Sequence, residues 1–158
     1  MPAVPAGDDE LHLERFLPYR LSLLANTVST AIADAYSARH DMTIPEWRVM
    51  AVLAHAPGLS AAEVAERTAM DKVAVSRAVA RLLRSRRLRR RQTAADRRRS
   101  RLELSAAGRE VYGRIAPWAL HYERELLKAL TPQELRLLDV ALARLLAKAR
   151  SIPAGDGP

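Results

Sequence analysis

Three short strings in this sequence mark the starts of three helices. Each has the form Ser/Thr-x-x-Glu, and they span Thr43–Glu46, Ser60–Glu63 and Thr131–Glu134. In such a capping box the hydroxyl accepts a hydrogen bond from the backbone N–H three residues on, and the glutamate accepts one from the backbone N–H of the Ser or Thr. Only 4% of the residues are aromatic, and Ala, Leu and Arg dominate, which favours helix over sheet. We therefore predict a mainly α fold.

The spacing of apolar residues predicts the order of the elements. Residues that recur every three to four positions predict six helices, over about 18–39, 43–55, 60–68, 71–85, 105–130 and 131–150. Between the fourth and fifth helices, residues 88–93 and 100–104 alternate around Ala94-Ala95-Asp96, which is typical of a β-hairpin. The hairpin has few apolar residues, so one of its faces must meet solvent or a partner.

Length and composition narrow the class of protein. A chain of 158 residues can bury the core of one domain, which we place at 11–150. The segments 1–10 and 151–158 are rich in Pro, Gly and Asp and are expected to be flexible tails. No apolar run approaches the roughly 20 residues of a membrane span, and no secretory signal is recognisable, so we expect a cytoplasmic protein.

The sequence contains no motif of a catalytic or metal site. It has no cysteine, which excludes disulfides, thiol redox sensors and Cys-ligated zinc. Its four histidines are scattered without metal-ligand spacing, and it has no nucleophile elbow, P-loop or pair of catalytic acids. We therefore expect no enzymatic activity, no bound metal and no cofactor.

The positive charge is concentrated in one stretch. Residues Asp71–Arg101 hold 13 of the 26 Lys and Arg residues but only two of the 18 Asp and Glu residues. The rest of the chain is nearly neutral, although the whole carries a formal charge of +8. Arginine binds phosphates and guanine edges through two N–H groups at once. A polyanion partner is therefore expected, and nucleic acid is the first candidate.

Two short helices, at 60–68 and 71–85, have the layout of a helix-turn-helix. At 100° per residue, the second helix has an apolar stripe formed by Val75, Ala78, Val79, Leu82 and Leu83. Opposite the stripe it presents three cations with no acid beside them, Arg77, Arg81 and Arg84. The helix could enter a DNA major groove, where Val73 or Ala74 would touch a thymine methyl group. The alternative is an ordinary solvated face, but such faces usually pair their cations with acids.

A basic hairpin that follows a helix-turn-helix is a wing. Arginines near its tip can enter the narrow minor groove or hold phosphates. Asp96 is the acid at the expected turn, where it can cap the turn or hold a neighbouring arginine in place. Because successive strand residues point to opposite faces, about half of the arginines of 86–91 should point away from DNA. The alternative is a nonspecific tether to any polyanion, RNA included.

Four strings of the sequence occur together in one known family. They are Thr43–Met50, Leu59–Ala65, Val75–Leu82 and Asp96–Gly108, the last of which has Asp-x-Arg followed by a Leu-Ser-x-x-Gly helix start. In this order and spacing they resemble the MarR family of bacterial winged-helix transcription regulators, closely over about residues 40–112.

The resemblance implies that residues 43–104 form a winged helix-turn-helix DNA-binding lobe. It implies that Ser76 and Arg77 are groove contacts of the recognition helix, and that Asp96 and Arg98 are the Asp-x-Arg of the wing. Together with the charge pattern it leads to a set of DNA-binding candidates: Lys72, Val73, Ala74, Ser76, Arg77, Arg81, Arg84, Asp96, Arg97, Arg98 and Arg99. The wing is more heavily charged than the family requires, so binding should depend strongly on salt.

The resemblance also implies a homodimer held by dimerisation helices over 11–40 and 105–150. The last helix is apolar on most of its sides, through Leu135, Leu137, Leu138, Ala141, Leu142, Leu145, Leu146 and Ala149. A helix of this kind needs more partners than one small domain offers. A core within one chain would explain the pattern about as well, and the resemblance favours the dimer.

Many members of the family release DNA when a small aromatic or phenolic anion binds. The candidates for a pocket that binds it are Arg20, Asn26, Trp47, Arg48, Trp118, His121 and Tyr122. We name Arg20 and Trp47 from this set as candidate effector contacts; the alternatives are a surface ion pair for Arg20 and a core or interface anchor for Trp47. The expected function is a sequence-specific repressor that binds a pseudo-palindromic double-stranded DNA operator and is released by such an effector. The alternative is a nonspecific architectural DNA- or RNA-binding protein.

Overall fold

The computed structural model describes residues 11–93 and 96–153, with side chains over 11–91 and 100–153. The described residues form α1 (Leu17–His40), α2 (Ile44–His55), α3 (Ala61–Thr68), α4 (Lys72–Arg84), β1 (Leu88–Thr93), β2 (Asp96–Leu104), α5 (Ala106–Leu127) and α6 (Pro132–Ser151). The mainly α fold with one β-hairpin is confirmed. Most of the expected tails lies outside the described residues. Within the described part of the chain, no helix is both long and apolar enough to cross a membrane.

All three capping boxes form. Glu46, Glu63 and Glu134 each accept the backbone N–H of the Thr or Ser three residues earlier, at 2.7–2.8 Å. In return, each hydroxyl accepts the backbone N–H of its glutamate at 3.3–3.4 Å. The bonds to Ser60 and Thr131 favour the charged carboxylates and hold the pKa of Glu63 and Glu134 below the ordinary value of 4.5.

The hairpin is longer than the alternation of the sequence predicted. β2 begins at Asp96 rather than Ser100, and Asp96 pairs with Thr93 of β1 in an antiparallel ladder. Asp96 is therefore the first residue of β2 and lies directly beside the expected turn. Residues 96–99 are all polar and show no alternation. Backbone hydrogen bonding extends a strand regardless of the polarity of its side chains.

α5 ends at Leu127, earlier than the expected Leu130. The backbone N–H groups of residues 128–130 bond to carbonyls three positions earlier, at 3.1–3.3 Å. Such bonds tighten the last turn of a helix. Pro132 also disfavours helical backbone at Thr131, which is extended and caps α6.

The core lies where α2, α3 and α4 meet the hairpin. Its largest fully buried side chains include Met50, Leu53 and Leu82. The hairpin contributes its few apolar residues, Leu88, Leu102 and Leu104, each no more than 3% exposed. Residues up to Trp118 form one compact unit, and those from Ala119 onward form a second. The helix-turn-helix and the wing therefore share one core in the first unit.

The start of α5 is packed directly against the residues that precede the hairpin. Ser105 accepts the backbone N–H of Gly108 at 3.0 Å and donates to the carbonyl of Arg86 at 2.6 Å. A Cβ added at Gly108 would lie 2.0 Å from the carbonyl oxygen of Arg87. The Leu-Ser-x-x-Gly string therefore holds the hairpin base against the helices, and only glycine fits at its last position.

Candidate nucleic-acid interface

The turn between α3 and α4 has the length of a helix-turn-helix turn. Ala69, directly after α3, has left-handed backbone with φ of 52°. Asp71 then caps α4, because its Oδ1 accepts the backbone N–H of Ala74 at 2.8 Å. Residues 69–71 thus redirect the chain within three positions, as this motif requires.

α4 buries the stripe that its sequence predicted and exposes the opposite side. Val75, Ala78, Val79 and Leu82 are buried, and Leu83 is half-buried. The outward face carries Lys72, Val73, Ser76, Arg77, Ala80 and Arg84 as exposed side chains, with Ala74 half-buried at its edge. Val73 is 58% exposed and adds an apolar contact point to this basic face.

The cations of α4 differ in whether the protein itself pairs them. Lys72, Arg77 and Arg84 form no hydrogen bond or ion pair with any residue that the structure describes. Arg81 differs, because its Nε lies 3.4 Å from Oε1 of Glu46 at the start of α2. Unpaired cations on a face without acids create a positive potential that suits a polyanion.

The wing is joined to the helix-turn-helix by contacts that no pattern in the sequence predicted. The backbone N–H of Leu102 donates to the carbonyl of Leu59 at 2.8 Å, and Gly58 donates back to Leu102 at 2.9 Å. The Arg101 guanidinium donates to the carbonyl of Gly58 at 3.2 Å and to Glu63 of α3 at 3.0 Å. A single apolar residue after Pro-Gly is too short to predict a strand, so no local signal reveals this pairing.

Several arginines of the basic stretch are held by the fold. The contacts are Arg87 to the carbonyl of His40, Arg89 to Glu103 at 2.7 Å, and Arg90 to the hydroxyl of Ser100 at 3.0 Å. Arg86 and Arg91 are exposed and make no such contact with the described residues. The basic stretch therefore contains arginines that serve the hairpin itself as well as arginines left for a partner.

Residues 40–99 match the sequence model of the MarR family. The match spans 60 of the 158 residues, and over this segment the chain is similar to the MarR family. The resemblance carried by its four strings is thereby confirmed, and the recognition helix and wing of the family correspond to α4 and to the β1–β2 hairpin.

Solved MarR-family structures share the fold over most of the chain. A MarR/EmrR family transcriptional regulator from Acinetobacter sp. ADP1 is 25% identical and has a TM-score of 0.82, over 90% of this chain and 100% of that one. A MarR family regulator from Silicibacter pomeroyi is 24% identical with a TM-score of 0.77, over 94% and 99%. The PcaV regulator from Streptomyces coelicolor, solved with its natural ligand, is 22% identical with a TM-score of 0.73, over 90% and 99%. No curated protein matches the chain.

The Asp-x-Arg string of the MarR family lies at the start of β2. The backbone of Asp96, Arg97, Arg98 and Arg99 belongs to that strand. Their side chains lie outside the described residues. The assignment of these four residues to DNA binding stays a prediction.

The two residues named for an effector lie in different surroundings. Trp47 of α2 is half-buried between Tyr36 and Tyr112, with ring centroids 5.8 and 5.6 Å away. This placement suits a core anchor. Arg20 is exposed on α1, beside a depression of about 490 Å³ that Leu23 also lines.

A larger cavity, of about 690 Å³, lies between α1 and α5, and Trp118 is the one lining residue that was a candidate from the sequence. It is lined by Tyr36, Arg39, His40, Arg114 and Trp118, among others. Burial raises the pKa of Tyr36 to about 12, and its hydroxyl has no hydrogen-bond partner among the described residues. Burial, followed by the nearby Arg87 and the two lining arginines, lowers the pKa of His40. No group of His, Asp and Glu in the described structure is arranged to hold a metal ion.

Proposed function

We propose that this MarR-like chain is a sequence-specific, double-stranded DNA-binding transcriptional regulator. The observation that carries the proposal is the outward face of α4, where Lys72, Arg77 and Arg84 are exposed and unpaired among the described residues. The opposite face of the same helix is buried, so its orientation is set by the core. A rigid helix with free arginines can enter a major groove and read base edges.

We assign the recognition of the DNA base sequence to α4 and most of the affinity for DNA to the wing. Arg77 can make two hydrogen bonds to a guanine, and Val73 can contact a thymine methyl group. Lys72, Ala74, Ser76 and Arg84 complete the proposed helix contacts. Asp96, Arg97, Arg98 and Arg99 are proposed to place the wing on the DNA backbone or in the minor groove.

We propose that the functional form is a homodimer. No residue of α6 is buried, and Leu137, Leu138, Val140, Leu142, Leu145 and Leu146 are 41–62% exposed. In α1, Leu17, Leu21, Leu23 and Leu24 are 40–55% exposed. Monomeric proteins rarely leave an apolar helix face such as that of α6 in water. A second copy that covers it would present two recognition helices to half-sites about one helical turn apart.

We propose further that the protein represses transcription and is released by a small aromatic or phenolic anion. Two structural relatives support this idea: PcaV is solved with its natural ligand, and DNA binding by BpsR of Bordetella bronchiseptica is regulated by 6-hydroxynicotinic acid. Arg20 and Trp47 remain our candidate contacts. The cavity between α1 and α5 offers the same chemistry, since it combines aromatic rings with arginines.

The test is selection of bound duplexes from a random DNA pool, repeated with a library of aromatic acids as competitors. We expect a pseudo-palindromic sequence that binds at least about 10³-fold more tightly than random DNA at the same salt concentration. At least one aromatic acid should release it. Equal affinity for the selected duplex, random duplex and RNA would contradict the proposal. It would favour a nonspecific architectural protein, a function for which the high positive charge of the wing is also suitable.

A further inference from the structure

Glu46 is a buried acid whose two oxygens have different partners. The residue is 2% exposed. Its Oε2 accepts the backbone N–H of Thr43 at 2.8 Å and the Thr43 hydroxyl at 2.6 Å. Its Oε1 lies 3.4 Å from Nε of Arg81 and has no other polar partner among the described residues. Arg81 is therefore the cation that pairs with the second oxygen, in an ion pair rather than a hydrogen bond.

This contact crosses from the first turn of α2 to the C-terminal half of α4. A buried carboxylate is costly without a cation or donors for both of its oxygens. The Arg81 side chain is 46% exposed, so it lies at the edge of the protein with one side turned toward Glu46. Among the described residues Arg77 and Arg84 have no such partner, and their charges remain available to a ligand.

We propose that Arg81 is a positioning residue of the DNA-binding surface and not a base contact, and that Glu46 determines specificity through it. The ion pair fixes how α4 is rotated against α2, and thereby where Ser76 and Arg77 meet the bases. This assignment replaces the expectation, made from the helical wheel, that Arg81 reads DNA directly. It rests on the proposed function, since it concerns how a DNA-reading helix is aligned.

Alignment matters because base readout tolerates little displacement. A hydrogen bond weakens steeply when its angle or its distance departs from the preferred range. An arginine on guanine must satisfy two such bonds in one plane. A small rotation of α4 would therefore lower affinity for the cognate sequence and leave contacts to random DNA nearly unchanged.

Glu46→Gln separates this proposal from ordinary charge effects. Glutamine also serves in a capping box, so the start of α2 is kept while the charge that holds Arg81 is lost. Removing an acid from a DNA-binding protein should normally strengthen binding. We expect the reverse. Affinity for the selected duplex should fall about tenfold, as if one hydrogen bond to a base were lost. Affinity for random DNA should not fall.

The matched control is Glu66→Gln. Glu66 is exposed on α3 and has no hydrogen bond or ion pair with the described residues. Its substitution removes the same charge from the same lobe without touching an ion pair. We expect no loss of discrimination between the selected duplex and random DNA. A loss equal to that of Glu46→Gln would overturn the inference, because any acid of the lobe would then have the same effect.

Three variants of the pair complete the test. Arg81→Gln should lower discrimination as Glu46→Gln does, and the double variant should lose no more than either single one. Arg81→Lys should retain most of the discrimination, because lysine can still pair with Glu46, whereas a base-reading arginine would lose its forked contact. Circular dichroism at the assay temperature verifies folding; if Arg81→Gln does not fold, Arg81→Lys and Glu46→Gln carry the comparison.

The salt dependence of binding decides whether Arg81 touches DNA. Affinity for DNA falls as the salt concentration rises. Each lost phosphate contact makes the slope of log affinity against log salt shallower by about 0.9. The slope of Arg81→Gln should equal that of the wild type, and a shallower slope would overturn the inference. If the wild type itself shows no preferred sequence, the proposed function fails and the inference fails with it. Wild-type discrimination that Glu46→Gln leaves intact would overturn the inference alone.

Discussion

Among single residues, Gly108 has no room for a side chain. A Cβ there would meet the Arg87 carbonyl oxygen at 2.0 Å, and that backbone is fixed at the base of the hairpin. We expect Gly108→Ala to lower the free energy of unfolding by about 1–3 kcal/mol, the usual cost of overpacking. Gly113→Ala is the control, since a Cβ there meets nothing within 4 Å and alanine favours helix. Urea denaturation of both variants measures the effect, and an unchanged stability of Gly108→Ala would contradict the packing argument.

Arg77 is the residue on which direct readout is expected to depend most. It is exposed on the outward face of α4 and unpaired among the described residues. We expect Arg77→Ala to cost about 1–3 kcal/mol on the selected duplex and to flatten discrimination at one base position. Competition binding against duplexes that vary one position at a time measures this. Equal weakening on selected and random DNA would show that Arg77 holds only phosphates.

At the scale of elements, the wing has arginines with two expected roles. Arg89 is paired with Glu103 at 2.7 Å, whereas Arg98 belongs to the Asp-x-Arg string proposed to reach DNA. We expect Arg98→Ala to reduce the salt slope of binding by about 1. Arg89→Ala is the control and should reduce it less, because its charge is already matched by an acid. Titrations at several salt concentrations provide the slopes, and equal slopes for Arg98→Ala and the wild type would remove the wing contact.

The capping box of α3 makes the stability of the helix-turn-helix depend on pH. The bonds from Ser60 hold the pKa of Glu63 below its ordinary value. A carboxyl whose pKa is lower in the folded state stabilises the fold above its ordinary pKa, and this contribution is lost as the pH falls through the lowered value. Glutamine keeps the cap but removes the charge that strengthens it and that pairs with Arg101. We therefore expect Glu63→Gln to be less stable than the wild type at neutral pH and the difference to vanish in acid. Urea denaturation across this range measures it, and Glu66→Gln should show no such convergence.

For the whole molecule, the uncovered apolar surface predicts self-association. Leu142 lies in the apolar stripe of α6 and is 43% exposed. We expect Leu142→Asp to shift a dimer toward monomer by at least about tenfold in dissociation constant, because a charge would be buried without a partner. Ala147→Asp is the control, since at 100° per residue it lies on the other side of the helix. Sedimentation equilibrium measures both, and a wild type that stays monomeric at all concentrations would contradict the dimer.

Much of the fold could be predicted because its signals are local. The capping glutamate of α3 bonds a residue three positions away, and the buried stripe of α4 follows the helical repeat, so both are visible in a short window of sequence. The start of β2 was misplaced because residues 96–99 extend the strand by backbone pairing alone. The pairing of Leu59 with Leu102 and most of the lining of the cavity between α1 and α5 were missed, since each joins segments far apart in the chain.

The sequence by itself determined the helices, the hairpin, the resemblance to the MarR family and the concentration of charge in one stretch. These properties depend on composition and on neighbours within a few positions. Only the tertiary structure decided which cations are free, because the partner of an arginine can come from any part of the chain. Arg77 and Arg81 look alike on a helical wheel, yet among the described residues only Arg81 has a buried carboxylate beside it, that of Glu46, which lies 35 residues earlier in the sequence. Glu46 is buried, and burial is a property of the packed chain.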